Sequence, residues 1–203
     1  MTKNKILKED RSYSFRSYFE LTHEADEILA EFDYAFANTH LDLPRSPRQS
    51  EQLGTIRQLI EDVLPLVRLS TETAKREILV APVLMEVTRF CHCQLRIEYN
   101  LEVNNWLKGT LDYLLRSQNS LIVIEAKRDD LVRGFTQLAV EMIALSESED
   151  MDVLYGVVTM GTAWSFGKLD RRSRKICQDI KLYRVPDDLQ ELMSILIGIL
   201  EGN

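Results

Sequence analysis

Hydrophobic and polar positions alternate along this chain with two different periods. From Ser14 to about Ala37 the residues Phe15, Phe19, Ile28, Leu29, Phe32, Ala35 and Phe36 recur at broadly helical spacing, and acidic residues fill the gaps. The stretch NTHLDLPRSPRQS from Asn38 to Ser50 carries two prolines and reads as a loop. A helix is expected from Glu51 to Val63, ended or kinked by Pro65. The next helix starts near Ser70 or Thr71, either of which can cap it, and a kink is expected at Pro82. A strand is expected from Cys91 to Tyr99, then a hairpin turn at Asn104-Asn105. Two further strands follow, one around Asp112 and one reading LIVIEAK, before a helix from Leu131 to about Leu145. Apolar runs at Val153 to Met160, Trp164 to Leu169 and Ile176 to Val185 read as strands, and a last helix follows from Asp187.

The strand ending in Glu125-Ala126-Lys127 concentrates the chemistry. Side chains two apart on a strand share a face, so Glu125 and Lys127 point the same way and Ile122, Ile124 and Ala126 the other. Apolar residues on both faces mark a central strand covered on both sides. Carboxylate and ammonium groups at the end of such a strand are costly without partners. Asp112 precedes Glu125 by thirteen residues, on the neighbouring strand. Asp112 and Glu125 are hard oxygen ligands suited to Mg²⁺ or Mn²⁺, with the backbone carbonyl of Ala126 available between Glu125 and Lys127. Lys127, beside carboxylates, is expected to stay protonated and to act through its charge.

The order Asp-x12-Glu-x-Lys on two strands followed by a helix resembles the active-site core of the PD-(D/E)XK nuclease superfamily. Glu72-x3-Arg76 with Ile78, Pro82 and Leu84 looks like the first helix of its restriction-enzyme-type members. Gly109-x2-Asp112 and IVIEAK look like their catalytic strands; Gln137 and the run VVTMGTAW resemble the later helix and strand. The likeness covers roughly residues 70 to 170. It implies an α/β fold with a restriction endonuclease-like core, a mixed central β-sheet flanked by helices. Residues 70–203 would form that core and residues 1–69 a helical extension packed on it. It also implies metal-dependent hydrolysis of nucleic acid, most simply DNA, with Asp112, Glu125 and Lys127 catalytic. Glu72 would be the helical metal ligand, with Glu77 and Glu86 as alternates.

Other residues stay open between two readings. Periodicity places Arg133, Gln137 and Glu141 opposite the apolar stripe Leu131, Phe135, Leu138, Ala139 and Met142, hence toward solvent; the resemblance brings Gln137 to the edge of the site. Arg76 and, in the basic run DRRSRK, Arg171 and Arg172 are candidates for substrate phosphates, although a solvated hairpin tip with no function is the simpler reading of the latter pair. Cys91-His92-Cys93 lacks a second ligand pair and reads as strand thiols, not zinc ligands.

Composition adds three constraints. The net charge of −7 opposes tight, non-specific nucleic-acid binding by charge alone, and it keeps open a catalytically silent module that binds nucleic acid or a protein partner. Three cysteines and no apolar run long enough to span a bilayer fit a cytoplasmic protein with no membrane attachment. In the last helix, Ile195 and Ile197 widen the apolar stripe of Leu189, Leu192, Met193, Leu196, Ile199 and Leu200 beyond one sheet face, which suggests a homodimer contact.

Overall fold

The computed structural model describes residues 5–118 and 120–202. Seven strands form one mixed sheet: β1 (Ala35–Thr39), β2 (Gln94–Glu102), β3 (Lys108–Arg116), β4 (Leu121–Ala126), β5 (Val153–Thr159), β6 (Ala163–Asp170) and β7 (Lys175–Arg184), in the spatial order β1-β7-β6-β5-β4-β3-β2. Hairpins make β2-β3-β4 and β5-β6-β7 antiparallel. The long helix α6 (Leu131–Ser148) crosses between β4 and β5, which run parallel, as a crossover of that length requires.

Helices cover both faces. On one side, α3 (Leu53–Val63), α5 (Ala81–Cys91) and α7 (Leu189–Glu201) pack on Tyr113, Leu115, Ile122, Ile124, Val157 and Phe166. On the other, α1 (Phe15–Glu20), α2 (Ala25–Ala30) and α6 enclose Leu114, Leu121, Val123, Leu154 and Val158. The molecule is therefore an α/β protein of helix, sheet and helix layers. Alternation along β4 is as expected: Ile122, Ile124 and Ala126 face the first core, Val123 the second.

Several expected boundaries move for physical reasons. The N-terminal helix is two short helices and a strand. Glu24 opens α2 with a capping box to Glu27, and a left-handed Asp33 (φ 61°) turns the chain before β1. β1 then pairs in parallel with the exposed edge of β7, so part of residues 1–69 completes the sheet. Cys91 ends α5 instead of starting a strand, and left-handed His92 (φ 50°) turns the chain into β2. The expected kink near Pro82 is a π-helical turn over Arg76–Val80, between α4 (Glu72–Lys75) and α5, with Pro82 in the first turn of α5.

The surplus isoleucines of α7 lie inside the chain. Leu189, Leu192, Met193, Ile195, Leu196, Ile197, Ile199 and Leu200 are all buried. The segment after β1 covers the outer side of α7: Ser46 N–H donates to Ser194 O at 2.9 Å, and Ser194 Oγ donates to Ser46 O at 2.9 Å. A Cβ at Gly198 would stand 2.7 Å from the Arg45 backbone. The widened stripe is thus accounted for by a second layer of the same chain, which removes the reason for expecting a homodimer there.

Candidate active site

β3 and β4 part company at the end that carries the acidic residues. Their pairing runs from Arg116↔Leu121 to Tyr113↔Ile124 and stops there. Beyond it, the Asp112 carboxylate takes the place of a backbone partner, its Oδ2 accepting from Ala126 N–H at 2.8 Å. On its other side β4 continues against β5, where Lys127 N–H donates to Thr159 O at 2.7 Å. The fork opens a cleft of about 600 Å³ lined by Glu72, Asp112, Glu125, Lys127 and Gln137, among others. Asp112, Glu125 and Lys127 are thus brought together, as the strand pattern predicts, and Glu72 joins them from the first turn of α4. Thr71 caps that helix, accepting from Ala74 N–H at 3.1 Å.

The charges here are buried. Glu125 is 2% exposed, and Lys127 meets its carboxylate in an ion pair with only 12% of the lysine side chain exposed. A pair projecting into solvent is thereby excluded. Arg76 stands over Asp112, Nη1 to Oδ1 at 3.5 Å, and its Nε donates to the Tyr113 hydroxyl at 3.1 Å. On β2, beside Asp112, Glu98 has a left-handed backbone (φ 51°) and reaches Arg76 at 3.8 Å. A non-glycine residue in that conformation stores strain that the surroundings must offset.

Two buried residues of α6 complete the cluster. Gln137 Nε2 donates to Glu125 Oε1 at 2.7 Å and to Glu141 Oε1 at 2.9 Å, and Glu141 is 0% exposed. The solvent-facing reading of Gln137 and Glu141 fails because this stripe of α6 lies against Glu125 at the end of β4. Gln137 lines the cleft; Glu141 escaped the sequence reasoning. Its signal was a glutamate four residues after Gln137, which puts both on one helical stripe. Gly134 was also passed over. A Cβ there would stand 2.8 Å from both Lys127 Cγ and Val158 Cγ2, so this helical glycine lets the lysine lie against α6.

Burial sets the protonation of the cluster. Desolvation raises the Glu125 carboxyl to about 7, and the Asp112 charge adds to it, against the pull of Lys127. Glu141 is raised well above the ordinary range, first by burial and then by Glu125. Asp112 is raised by burial, opposed by the Ala126 N–H and by Arg76. Burial alone would lower Lys127, but Glu125, Asp112 and Glu141 more than offset it, and the ammonium persists. Glu125 Oε2 and Glu141 Oε2 are buried without a hydrogen-bond donor.

The remaining candidates lie elsewhere. Glu86 is bound to Ser50 and Arg89 on the opposite face, and Glu77 is exposed; neither lines the cleft. Arg171 and Arg172 sit in the β6–β7 turn and pair with Asp150 and Asp152, just before β5 begins. Lys127 lies beside Thr159, at the other end of β5. The length of that strand, roughly 20 Å, separates the basic turn from the cleft, so it cannot contact a phosphate held there.

Among the described residues, no three acidic, histidine or cysteine side chains converge as a ready-made metal cage. The residues present nevertheless fit a hard divalent cation. Mg²⁺ binds through one or two carboxylates and completes its shell with water and substrate oxygens. Asp112 and Glu125 supply the pair, and the donorless oxygen of Glu125 and the elevated carboxyls mark negative charge that the chain alone compensates incompletely. Neither known family models nor curated proteins match this chain.

Proposed function

We propose that this chain is a metal-dependent nuclease with a PD-(D/E)XK-type, restriction endonuclease-like core, acting on nucleic acid and most simply on DNA. The observation that carries the reading is the strand fork, which gathers Asp112, Glu125 and Lys127 at one buried edge. Asp112, Glu125 and the Ala126 carbonyl would hold Mg²⁺ or Mn²⁺, with Glu72 facing them across the cleft. A cation bound there supplies Lewis-acid stabilisation of the phosphoryl oxygens and lowers the pKa of a coordinated water.

The chain's own part follows from its charges. Lys127 keeps its proton, so it neutralises charge developing on the phosphoryl group and orients the attacking water through N–H donation. Gln137 fixes the Glu125 carboxylate from behind. Arg76 anchors Asp112, and Arg16 and Arg128, which line the cleft, are the further cations for a phosphate. The acidity of the whole chain favours a second reading, a catalytically silent nuclease-fold module in which Arg76 and Lys127 serve only to balance Asp112 and Glu125.

Incubation of plasmid, linear and single-stranded DNA with Mg²⁺ or Mn²⁺ separates the two. The nuclease reading expects cutting by the parent that Asp112→Ala and Lys127→Ala both lose. Equal cutting by all three proteins, or none by the parent, would overturn it.

A further inference from the structure

The N-terminal segment roofs the cleft and narrows what can enter. α1 brings Arg16 and Phe19, with Ser14 just before it, into the space shared by Asp112, Glu125 and Lys127. This roof is anchored. Tyr18 is buried and donates its hydroxyl to the Trp106 carbonyl at 2.7 Å, and Tyr13 N–H donates to Asn105 O at 2.8 Å. Beneath it Gly109 has φ 146°, and a Cβ there would stand 2.8 Å from the Phe15 ring, so α1 sits directly on the strand that carries Asp112.

Phe19 is half-buried, with its ring centre 4.8 Å from Lys127 Nζ. The ammonium covers one face of the ring, so the opposite face is the one that would receive a base beside the phosphate. Every nucleobase has a π-face, but in a duplex both faces are covered by neighbouring pairs, so stacking on protein requires an unpaired base. Shape agrees. The cleft of about 600 Å³ is in the range of sites that enclose one small organic molecule, and it meets a second groove of about 500 Å³ at Ser14 and Gly109, where Lys108 and Asn100 line the way out. Arg16, Lys127 and Arg128 are outnumbered by Glu72, Asp112, Glu125 and Asp129, so the cleft has no cationic surplus and contact to a base has to supply what charge does not.

We propose that the cleft takes an unpaired polynucleotide strand, with Phe19 stacked on the base beside the phosphate that Lys127 faces and the strand leaving over Gly109 past Lys108. This rests on the nucleic-acid reading above. The test compares cleavage and fluorescence-anisotropy binding of a labelled single-stranded oligonucleotide and its blunt duplex, for the full-length parent, Phe19→Ala and Phe19→Trp. Phe19→Leu replaces Phe19→Ala if the alanine variant fails to give a folded melting curve.

The expected result is a single strand cut at least about tenfold faster than duplex, a KM for single strand raised roughly tenfold by Phe19→Ala with little change in kcat, and retention by Phe19→Trp. Duplex cut as fast as single strand overturns the inference and leaves the nuclease intact. A fall in kcat with KM unchanged also overturns it, because the ring would then serve only to position Lys127. Single-strand binding that Phe19→Ala weakens, without cutting by any protein, supports the unpaired strand and defeats the nuclease. Neither binding nor cutting defeats both.

Discussion

The helices α6 and α7 cover opposite faces of the same sheet, and both are buried over most of their circumference. Their residues differ. The buried positions of α7 are apolar throughout, whereas α6 buries Thr136, Gln137, Glu141 and Ser146 among its leucines and alanines. A helix that only covered a sheet would gain nothing from a carboxyl at 0% exposure; replacing buried charged groups by apolar ones of similar volume is often neutral or stabilising. The α7 side shows what this sheet needs to be stable, and the α6 side shows what it carries in addition. The additional residues converge on Glu125.

Substitutions should separate the two sides, most strongly in activity. Lys127→Ala or Glu125→Gln is expected to lower the cleavage rate about 10²–10³-fold, the usual effect of losing one electrostatic stabiliser, with a folded melting curve retained. On the other side, Leu196→Ala should cost about 2–5 kcal/mol in denaturant unfolding, and the folded fraction should cut at the parental rate. Gly134→Ala tests the packing between α6 and the lysine. A methyl group in that space should displace Lys127 and slow cleavage about tenfold, despite alanine's better helix propensity.

Protonation gives a smaller and more specific effect. Glu125 and Glu141 hold their protons to higher pH when folded than the ordinary value of 4.5. Between that value and about 7 the folded state therefore binds more protons than the unfolded chain, and stability must fall as pH rises. Carboxyls lowered by folding, such as Asp188 and Glu191, act below that window and in the opposite sense. Without divalent metal, the melting temperature should drop from pH 5.5 to 8, and Glu141→Gln should flatten the slope and raise the value at pH 8. Smallest of all, Arg171→Ala and Arg172→Ala should leave cleavage within about twofold of the parent, since the length of β5 stands between their turn and the cleft.

The same contrast explains what was legible in the sequence. Asp112, Glu125 and Lys127 emerge because strand alternation fixes which side chains share a face, and the surrounding apolar run says that the strand is central. Helical periodicity is less informative when a helix is covered twice. It separates the stripe of Gln137 and Glu141 from that of Phe135 and Met142, but does not tell which stripe meets solvent. The answer depends on how the helix lies over the end of β4, where Glu125 takes the hydrogen bond of Gln137. The isoleucines of α7 raise the same difficulty with the opposite sign, because their cover is the segment around Arg45 and Ser46. β1 is invisible for a related reason: five residues with little strand character are captured by the edge of β7, far along the chain. The basic turn of Arg171 and Arg172 was legible as a turn, but the end of the sheet at which it lies follows only from the parallel pairing of β4 with β5.

The central claim is that Asp112 and Glu125 together hold a divalent cation. Calorimetric titration of Mn²⁺ into the parent and into Asp112→Asn at pH 7.5 tests it without reference to any substrate. The account predicts saturable binding by the parent at millimolar or lower concentration, weakened at least about tenfold in the variant. No binding by the parent at millimolar Mn²⁺, or equal binding by both proteins, would contradict it.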